Sequence, residues 1–447
     1  MEQNLNIQPA DVQESGAEFI RPFLDRTDKG QIKQNLNNCT FILKNDPVLK
    51  DAFRRNILTG LTDTVKPLPW LQRSQSVTDT DVNNIRLYME QKYEISSEKN
   101  IWAAIDIVAN ENTYHPVAEK LKSLTWDGVP RIDTALHHFL GAEESDYTAE
   151  VMRLHMLAAI HRVFSPGCKY DICLVFVGNQ GGGKSTFLRF LAMEDEWFTD
   201  DMKNLNDSKI YERLQGHWIV ELSEMSAARK ADVEEIKAFL SRQKDNYRMP
   251  YSRTPEDRLR QCVVCGTSNN PRFLPLDRTG NRRFAPVMVD SEKAEVHPLD
   301  DEKKSREYIL QMWAEAMELY AKEVSEGTLR LTFSKEMEEY AKQMQKDCMK
   351  EDVAYGMLEA YLELHEDERV CCAMIADEVF GVDDPKKQNY DADKYTEILR
   401  LCGWKCINSR RFAKYGGQKA WVKIGGILDP DVNAFADILD EPADIPF

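Results

Sequence analysis

A chain of 447 residues, 42% hydrophobic and 30% charged, has the composition of a folded protein, and its length allows two or three domains. Its net charge of −17 argues against a surface coated throughout in nucleic acid, while leaving room for a local basic track. No apolar run reaches the ~18 residues of a membrane-spanning helix, and the amino terminus is acidic and polar, unlike a signal peptide. The expectation is a cytoplasmic protein with no membrane partner, whose ten cysteines, lacking framework spacing, stay reduced.

In chain order, residues 1–30 read as a flexible polar arm and 31–145 as an α-rich domain. Asp79–Tyr93 starts with aspartate and carries Ile85, Leu87, Tyr88 and Tyr93 near helical spacing. WDGVPRIDTALHHFLG (Trp126–Gly141) opens on a turn, because Asp-Gly and Pro130 break regular structure. Asp133 is expected to cap the helix that follows, with Leu136, Phe139 and Leu140 facing inward, and a further helix is expected at about Val151–Phe164. From Asp171 the pattern changes. ICLVFVG, HWIVEL (His217–Leu222) and QCVVCGT (Gln261–Thr267) are continuous apolar runs, as expected of strands buried on both faces of a parallel sheet. With helical segments between them, residues 146–330 read as an α/β domain ending in a long helix at about Lys303–Glu326. Residues 331–447 read as a helical region, a small mixed module at 365–426 and an acidic tail. The CxxC of Cys262 and Cys265 lies inside an apolar run with no second CxxC after it, so it reads as buried thiols. A zinc site at Cys371, Cys372, Cys402 and Cys406 is discounted on its spacing.

The first apolar run leads into VGNQGGGKST (Val177–Thr186). There Gly178-x4-Gly183-Lys184-Ser185 satisfies every fixed position of the phosphate-binding loop between a strand and a helix. A glycine costs about 0.5–1 kcal/mol in regular structure, so three in a row, Gly181, Gly182 and Gly183, need a reason. Backbone N–H groups that wrap closely around a phosphate supply one, and the following helix N-terminus adds partial positive charge. With Gly178 and Thr186 these residues form the expected ATP-binding set. Lys184 is expected at the β- and γ-phosphates, and Ser185 at Mg²⁺.

Hydrolysis needs more. WIVELSEM (Trp218–Met225) ends the second strand in Glu221, assigned to magnesium, and Glu224, assigned to water activation; their three-residue spacing leaves the order open. Asn269, after the third strand, is expected to sense the γ-phosphate or the attacking water, with Thr267 and Asn270 as weaker candidates. In DRTGNRRF (Asp277–Phe284), Arg283 or Arg282, with Arg278 behind them, are candidates to reach a neighbouring subunit's nucleotide; solvated surface is the alternative. Between the second and third strands, Lys237–Arg260 holds seven basic and three acidic residues. Arg242, Lys244, Arg248, Tyr251 and Arg253 are the candidates there for single-stranded DNA, cations for phosphates and rings for bases. Contacts to nucleotide or to other subunits are the competing use.

Four stretches carry a resemblance: Tyr114–Gly141; GNQGGGKST; WIVELSEM with the following ADVEEIKAFLSRQKDNYRMPY; and GTSNNPRFLPLDRTGNRRFAPV (Gly266–Val287). In that order, over about residues 100–320, the chain resembles the virulence-associated protein E family, phage and genomic-island P-loop ATPases related to superfamily 3 helicases. The resemblance implies an AAA+-like P-loop ATPase core, ring assembly, and a replication role for a mobile element. It implies Lys184 and Ser185 in the phosphate loop, Glu221 and Glu224 at the acidic strand end, Asn269 as sensor, and Arg282 and Arg283 near a subunit interface. Family members often carry a primase–polymerase module; this chain has no room for one, so any primase is expected as a separate polypeptide. The 365–426 module looks like a winged-helix-type tail, a helix followed by a basic hairpin with Arg410, Arg411, Lys414 and Lys419. The expectation is an ATP-driven DNA helicase. A nucleotide-gated initiator or helicase loader is the alternative, and a small-molecule kinase is disfavoured because Asn269 and the GNRRF turn have no use in one.

Overall fold

The computed structural model describes residues 16–202, 205, 210–223, 225, 230–247, 255–275, 281–349, 353–366, 368–384 and 391–430. It divides into two units: Met1–Met225, Glu235–Asn269 and Val287–Tyr340 form one, and Ser226–Glu234, Asn270–Pro286 and Ala341–Phe447 the other. The fold is mixed α/β, with several sheets and helical regions. Among the described residues no helix is long and apolar enough to cross a membrane.

In the first unit the chain is packed well before residue 30. Residues 16–20 are helical, and Ala17, Ile20 and Leu24 are buried, so part of the expected arm belongs to the core. That core is closed by α1 (Leu36–Asn45), β1 (Phe53–Asn56), β2 (Thr62–Thr64), α2 (Asp79–Tyr93), α3 (Glu98–Glu111) and β3 (Thr113–Tyr114), the strands ordered β2-β1-β3. Helix α2 starts with a capping box of Thr78 and Asp81. Val82, Ile85, Met89 and Tyr93 form its buried stripe. Leu87 is exposed instead, since the helical period carries it to the opposite face.

Helices α4 (Pro116–Ser123), α5 (Ala135–Leu140) and α6 (Asp146–Phe164) lead to the main sheet. Asp133 does not cap α5. Thr134 occupies the cap position without a side-chain bond, and both Asp133 carboxylate oxygens accept from Arg153 at 2.8 and 3.0 Å. Ser145 and Thr148 instead box the start of α6, which begins earlier than the sequence pattern implies.

The elements that follow are β4 (Cys173–Val177), α7 (Lys184–Leu191), β5 (Phe198–Thr199), α8 (Ile210–Leu214), β6 (Ile219–Leu222), α9 (Lys230–Ser241), β7 (Lys244–Tyr247), β8 (Glu256–Leu259), β9 (Val263–Ser268), β10 (Phe284–Met288) and α10 (Glu302–Glu326). Five strands form a sheet in the order β10-β4-β9-β6-β5, with β4–β9, β9–β6 and β6–β5 parallel. Strands β4, β6 and β9 are buried along their length, which explains their unbroken apolar sequences. Trp218 and Trp313 lie 4.5 Å apart, their indole N–H groups donating to Ala159 O and Leu191 O. Glu315 of α10 accepts the backbone N–H groups of Arg131 and Ile132 at 2.6 and 3.1 Å, hanging the Asp-Gly turn on the long helix.

Helix α11 (Lys335–Asp347) is followed by α12 (Val353–Glu363), α13 (Cys372–Glu378), α14 (Ala392–Leu401), β11 (Trp404–Phe412) and β12 (Gly416–Lys423). In the second unit α12 to α14 and the antiparallel β11–β12 hairpin share a core of Leu358, Leu362, Val370, Ile375, Trp404 and Trp421. Val370 bridges Trp421 as a one-residue third strand.

Candidate functional site

The carboxyl ends of β4, β6 and β9 lie side by side, with Val177 opposite Ser268 and Leu222 opposite Gly266. In open α/β sheets this is where ligands bind. The loop from Gly178 to Gly183 turns there from β4 into α7. Its glycines serve different ends. A Cβ on Gly178 would lie 2.3 Å from the carbonyl oxygen of Val289, so the need is space. Gly181 and Gly183 both have φ +80°, the left-handed region that other residues rarely adopt. Gly182 has room for a methyl group, its nearest neighbour being Ser291 Cβ at 3.4 Å.

Lys184, the first residue of α7, is buried. Its ammonium donates to Gly178 O at 2.8 Å, Asn179 O at 2.6 Å and Asn269 Oδ1 at 3.1 Å. Burial lowers its pKa, and the Glu221 carboxylate works against that shift. Ser185 Oγ and Thr267 Oγ1 both donate to Glu221 Oε1, at 2.8 and 2.6 Å. Burial raises the Glu221 pKa; these two hydrogen bonds oppose the rise and nearby Asp200 adds to it. The second carboxylate oxygen, Glu221 Oε2, is buried with no hydrogen-bond partner among the described residues. A buried, unsatisfied carboxylate oxygen beside a serine hydroxyl is a donor set suited to a hard divalent cation such as Mg²⁺.

These groups open on a cleft of about 420 Å³, lined by Gln180 to Thr186 together with Asp200, Ser223, Thr267, Ser268, Asn269, His297 and Leu299. Lys184, Ser185, Glu221 and Asn269 are thus brought together with the glycine loop. Asp200, Ser223 and His297 escaped sequence reasoning. Asp200 directly follows the short strand β5, a strand-end acid that could have been weighed beside Glu221; the polar loop containing His297 carries no comparable signal.

Other candidates fall elsewhere. Glu224, Arg248, Tyr251, Arg253 and Arg278 lie outside the described residues. Arg282 and Arg283 sit in a 3-10 turn, Asn281–Arg283, of the second unit. The basic stretch Lys237–Arg260 forms the end of α9 and the antiparallel β7–β8 hairpin, inserted between β6 and β9. Its charge count overstates its available charge. Arg260 is buried in a two-bond ion pair with Asp245 at 2.7 and 3.0 Å, and Lys237 is buried as well. Lys244 pairs with Asp257 at 2.5 Å, and Arg258 pairs with Glu256 at 3.4 Å. Arg242 lies over the Tyr211 ring at 5.1 Å. The cysteines of the CxxC are buried, Cys265 facing His155 Nε2 at 3.1 Å.

A family model described as the virulence-associated protein E-like domain matches residues 121–350, just over half of the chain. No curated protein matches. Among solved structures, the A form apo structure of the NrS-1 C terminal region, CTR(305-718), is similar at 13% identity and a TM-score of 0.51, with 88% of this chain and 100% of that one covered. Another A form apo structure of the same region is similar at 12% identity and 0.48, with 83% and 96% covered. At 13% identity the likeness is one of fold.

Proposed function

Since the chain belongs to the virulence-associated protein E-like family, we propose that it is a P-loop ATPase with an AAA+-like core, serving DNA replication in a phage or mobile genetic element. In this reading it works as a hexameric ring helicase that translocates on DNA. The observation that carries the proposal is the convergence of Lys184, Ser185, Glu221, Thr267 and Asn269 around a glycine loop at the ends of three parallel strands.

The chemistry follows from those groups. Loop N–H groups from Gly181 to Thr186 and the amino end of α7 receive the nucleotide's phosphates. Lys184 exchanges the carbonyls of Gly178 and Asn179 for phosphate oxygens. Ser185 and Glu221 would hold Mg²⁺, which supplies charge neutralisation on the β- and γ-phosphates. Asn269, hydrogen-bonded to Lys184, orients the γ-phosphate or the attacking water, and Glu224 is assigned to water activation. Arg282 or Arg283 reaches the nucleotide of the next subunit. The basic stretch Lys237–Arg260 contacts single-stranded DNA, with Arg242, Lys244, Arg248, Tyr251 and Arg253 as the candidates.

The internal pairing of Lys244, Arg258 and Arg260 favours a second reading, a nucleotide-gated initiator or loader that remodels DNA or a partner without unwinding. A separate primase is a candidate partner in either case. Steady-state ATP hydrolysis with and without single-stranded DNA, on wild type and Lys184→Ala, tests the first. Stimulation by DNA that Lys184→Ala abolishes, with strand displacement on a forked duplex, supports the helicase. Stimulation without displacement moves the conclusion to the loader, and hydrolysis unaffected by Lys184→Ala removes the cleft from the chemistry.

A further inference from the structure

The β11–β12 hairpin is the sharpest departure from the chain's overall charge. Trp404–Lys423 holds six lysines and arginines and no aspartate or glutamate, in a chain of net charge −17. Three of the six are paired with acids of the same unit: Lys405 with Asp429, Lys414 with Asp377 at 2.5 Å, and Lys423 with Glu366. Arg410, Arg411 and Lys419 are exposed, and no acid among the described residues pairs with them. All three lie in the distal half of the hairpin, beyond the register irregularity between Ile407 and Ser409.

Register distributes these cations. Lys419 stands opposite Ser409 and Arg411 opposite Gly417, so Arg411 and Lys419 are diagonal neighbours on one face. Arg410, opposite Gln418, is on the other face. Across from Phe412 and Arg411 are Gly416 and Gly417, which present no side chain to obstruct a phosphate. Tyr415, at the turn, has its hydroxyl 2.6 Å from an Asp377 carboxylate oxygen and 2.9 Å from one of Glu378, and the Lys414 ammonium lies over its ring at 5.4 Å. A hairpin with exposed cations on both faces suits a groove bordered by two rows of phosphates.

Helix α14, beside the hairpin, is different. Its exposed and half-exposed positions include Asp393, Lys394, Glu397 and Arg400, with Asp391 at its start. That balance does not favour a groove lined with phosphates, and Arg400 is engaged over the Trp421 ring at 5.6 Å.

We infer that the β11–β12 hairpin is a wing that grips the phosphate backbone of duplex DNA through Arg410, Arg411 and Lys419, while α14 does not read the bases. The inference rests on the DNA-directed reading above and extends it: the grip is independent of sequence, because phosphate contacts carry no base information.

The test is binding of the full chain to a 20-base-pair fluorescent duplex, by anisotropy over a range of salt, without nucleotide. Three phosphate contacts contribute about 2.7 to the slope of log affinity against log salt, so wild type loses about 40-fold more affinity than Arg410→Ala/Arg411→Ala/Lys419→Ala between 50 and 200 mM. Arg410→Lys/Arg411→Lys/Lys419→Arg keeps the wild-type slope, which separates lost charge from lost folding. Lys394→Ala and a changed duplex sequence leave affinity unaltered. An equal slope in wild type and the alanine variant overturns the wing, as does a loss confined to a single-stranded probe. A chain that binds no DNA at all, while Lys184-dependent ATP hydrolysis persists, overturns the DNA-directed reading on which the wing rests.

Discussion

Lys184 has all three of its N–H donors engaged by oxygens of the loop and of Asn269, so in the proposed function a nucleotide displaces existing bonds. Removing a preorganised donor from developing charge typically costs 10²–10³ in rate, and Lys184→Ala is expected to lower ATP hydrolysis by at least about 100-fold in a phosphate-release assay. Glu221 supplies a pH prediction. Burial raises its pKa, and holding a cation requires the carboxylate, so activity falls on acidification at a higher pH than for an ordinary glutamate. The Thr267 hydroxyl stabilises the ionised form, so Thr267→Val moves that acidic limb further up in pH. An unmoved limb in kcat/KM measured from pH 5 to 8 would remove Glu221 from the rate-controlling ionisation. The glycine loop and Lys184 are legible in the sequence because the motif that holds them is a local object, complete within ten consecutive residues. It disclosed Glu221 and Asn269 as strand ends. Nothing local marks His297, 113 positions after Lys184 in the numbering, as a wall of the same cleft; folding alone brings it there.

At the next scale, two glycines of one motif are expected to respond unequally to the same methyl group. Gly178→Ala drives a Cβ against the Val289 carbonyl, where strand β4 leaves the sheet, and overpacking of that kind costs roughly 1–3 kcal/mol or more. Gly182→Ala meets only ordinary contacts, so its denaturation midpoint stays close to wild type. Similar denaturation midpoints for the two variants would show that the strand end yields. The hairpin gives a second contrast. Arg260→Met strands Asp245 as an uncompensated buried charge, a loss of about 3–5 kcal/mol, much of which Asp245→Leu in the same chain restores. Lys244→Ala, at an exposed pair, changes stability little. Seven basic residues in Lys237–Arg260 are visible in the sequence, but how Lys244 and Arg258 are engaged depends on the β7–β8 register, where Asp245 lies opposite Arg258 and Lys244 opposite Leu259. Leu87 makes the same point for a helix: composition names it apolar, and the helical period leaves it outside.

For the whole molecule the two units interleave along the chain, Asn270–Pro286 belonging with the residues after Tyr340. A sequence cut into contiguous segments keeps Asn269 and Arg283 in one domain, whereas the fold assigns them to different units, a division that only the pattern of long-range contacts can draw. It also frames the ring proposal. Arg283 is assigned to a neighbour's nucleotide, and Lys184 to its own. A ring of either single variant, Lys184→Ala or Arg283→Ala, therefore has every site broken, but a ring containing both restores the sites where an intact Lys184 meets an intact Arg283 from next door. With random one-to-one mixing about a quarter of the interfaces qualify, so co-expressed, co-purified variants are expected to recover roughly a quarter of the wild-type hydrolysis rate. Arginines that act within their own subunit leave no intact site in any mixture, and the mixed oligomer then hydrolyses no faster than the better of its two parents. Recovery at the expected level requires both an oligomer and a shared site, two features that no single chain displays.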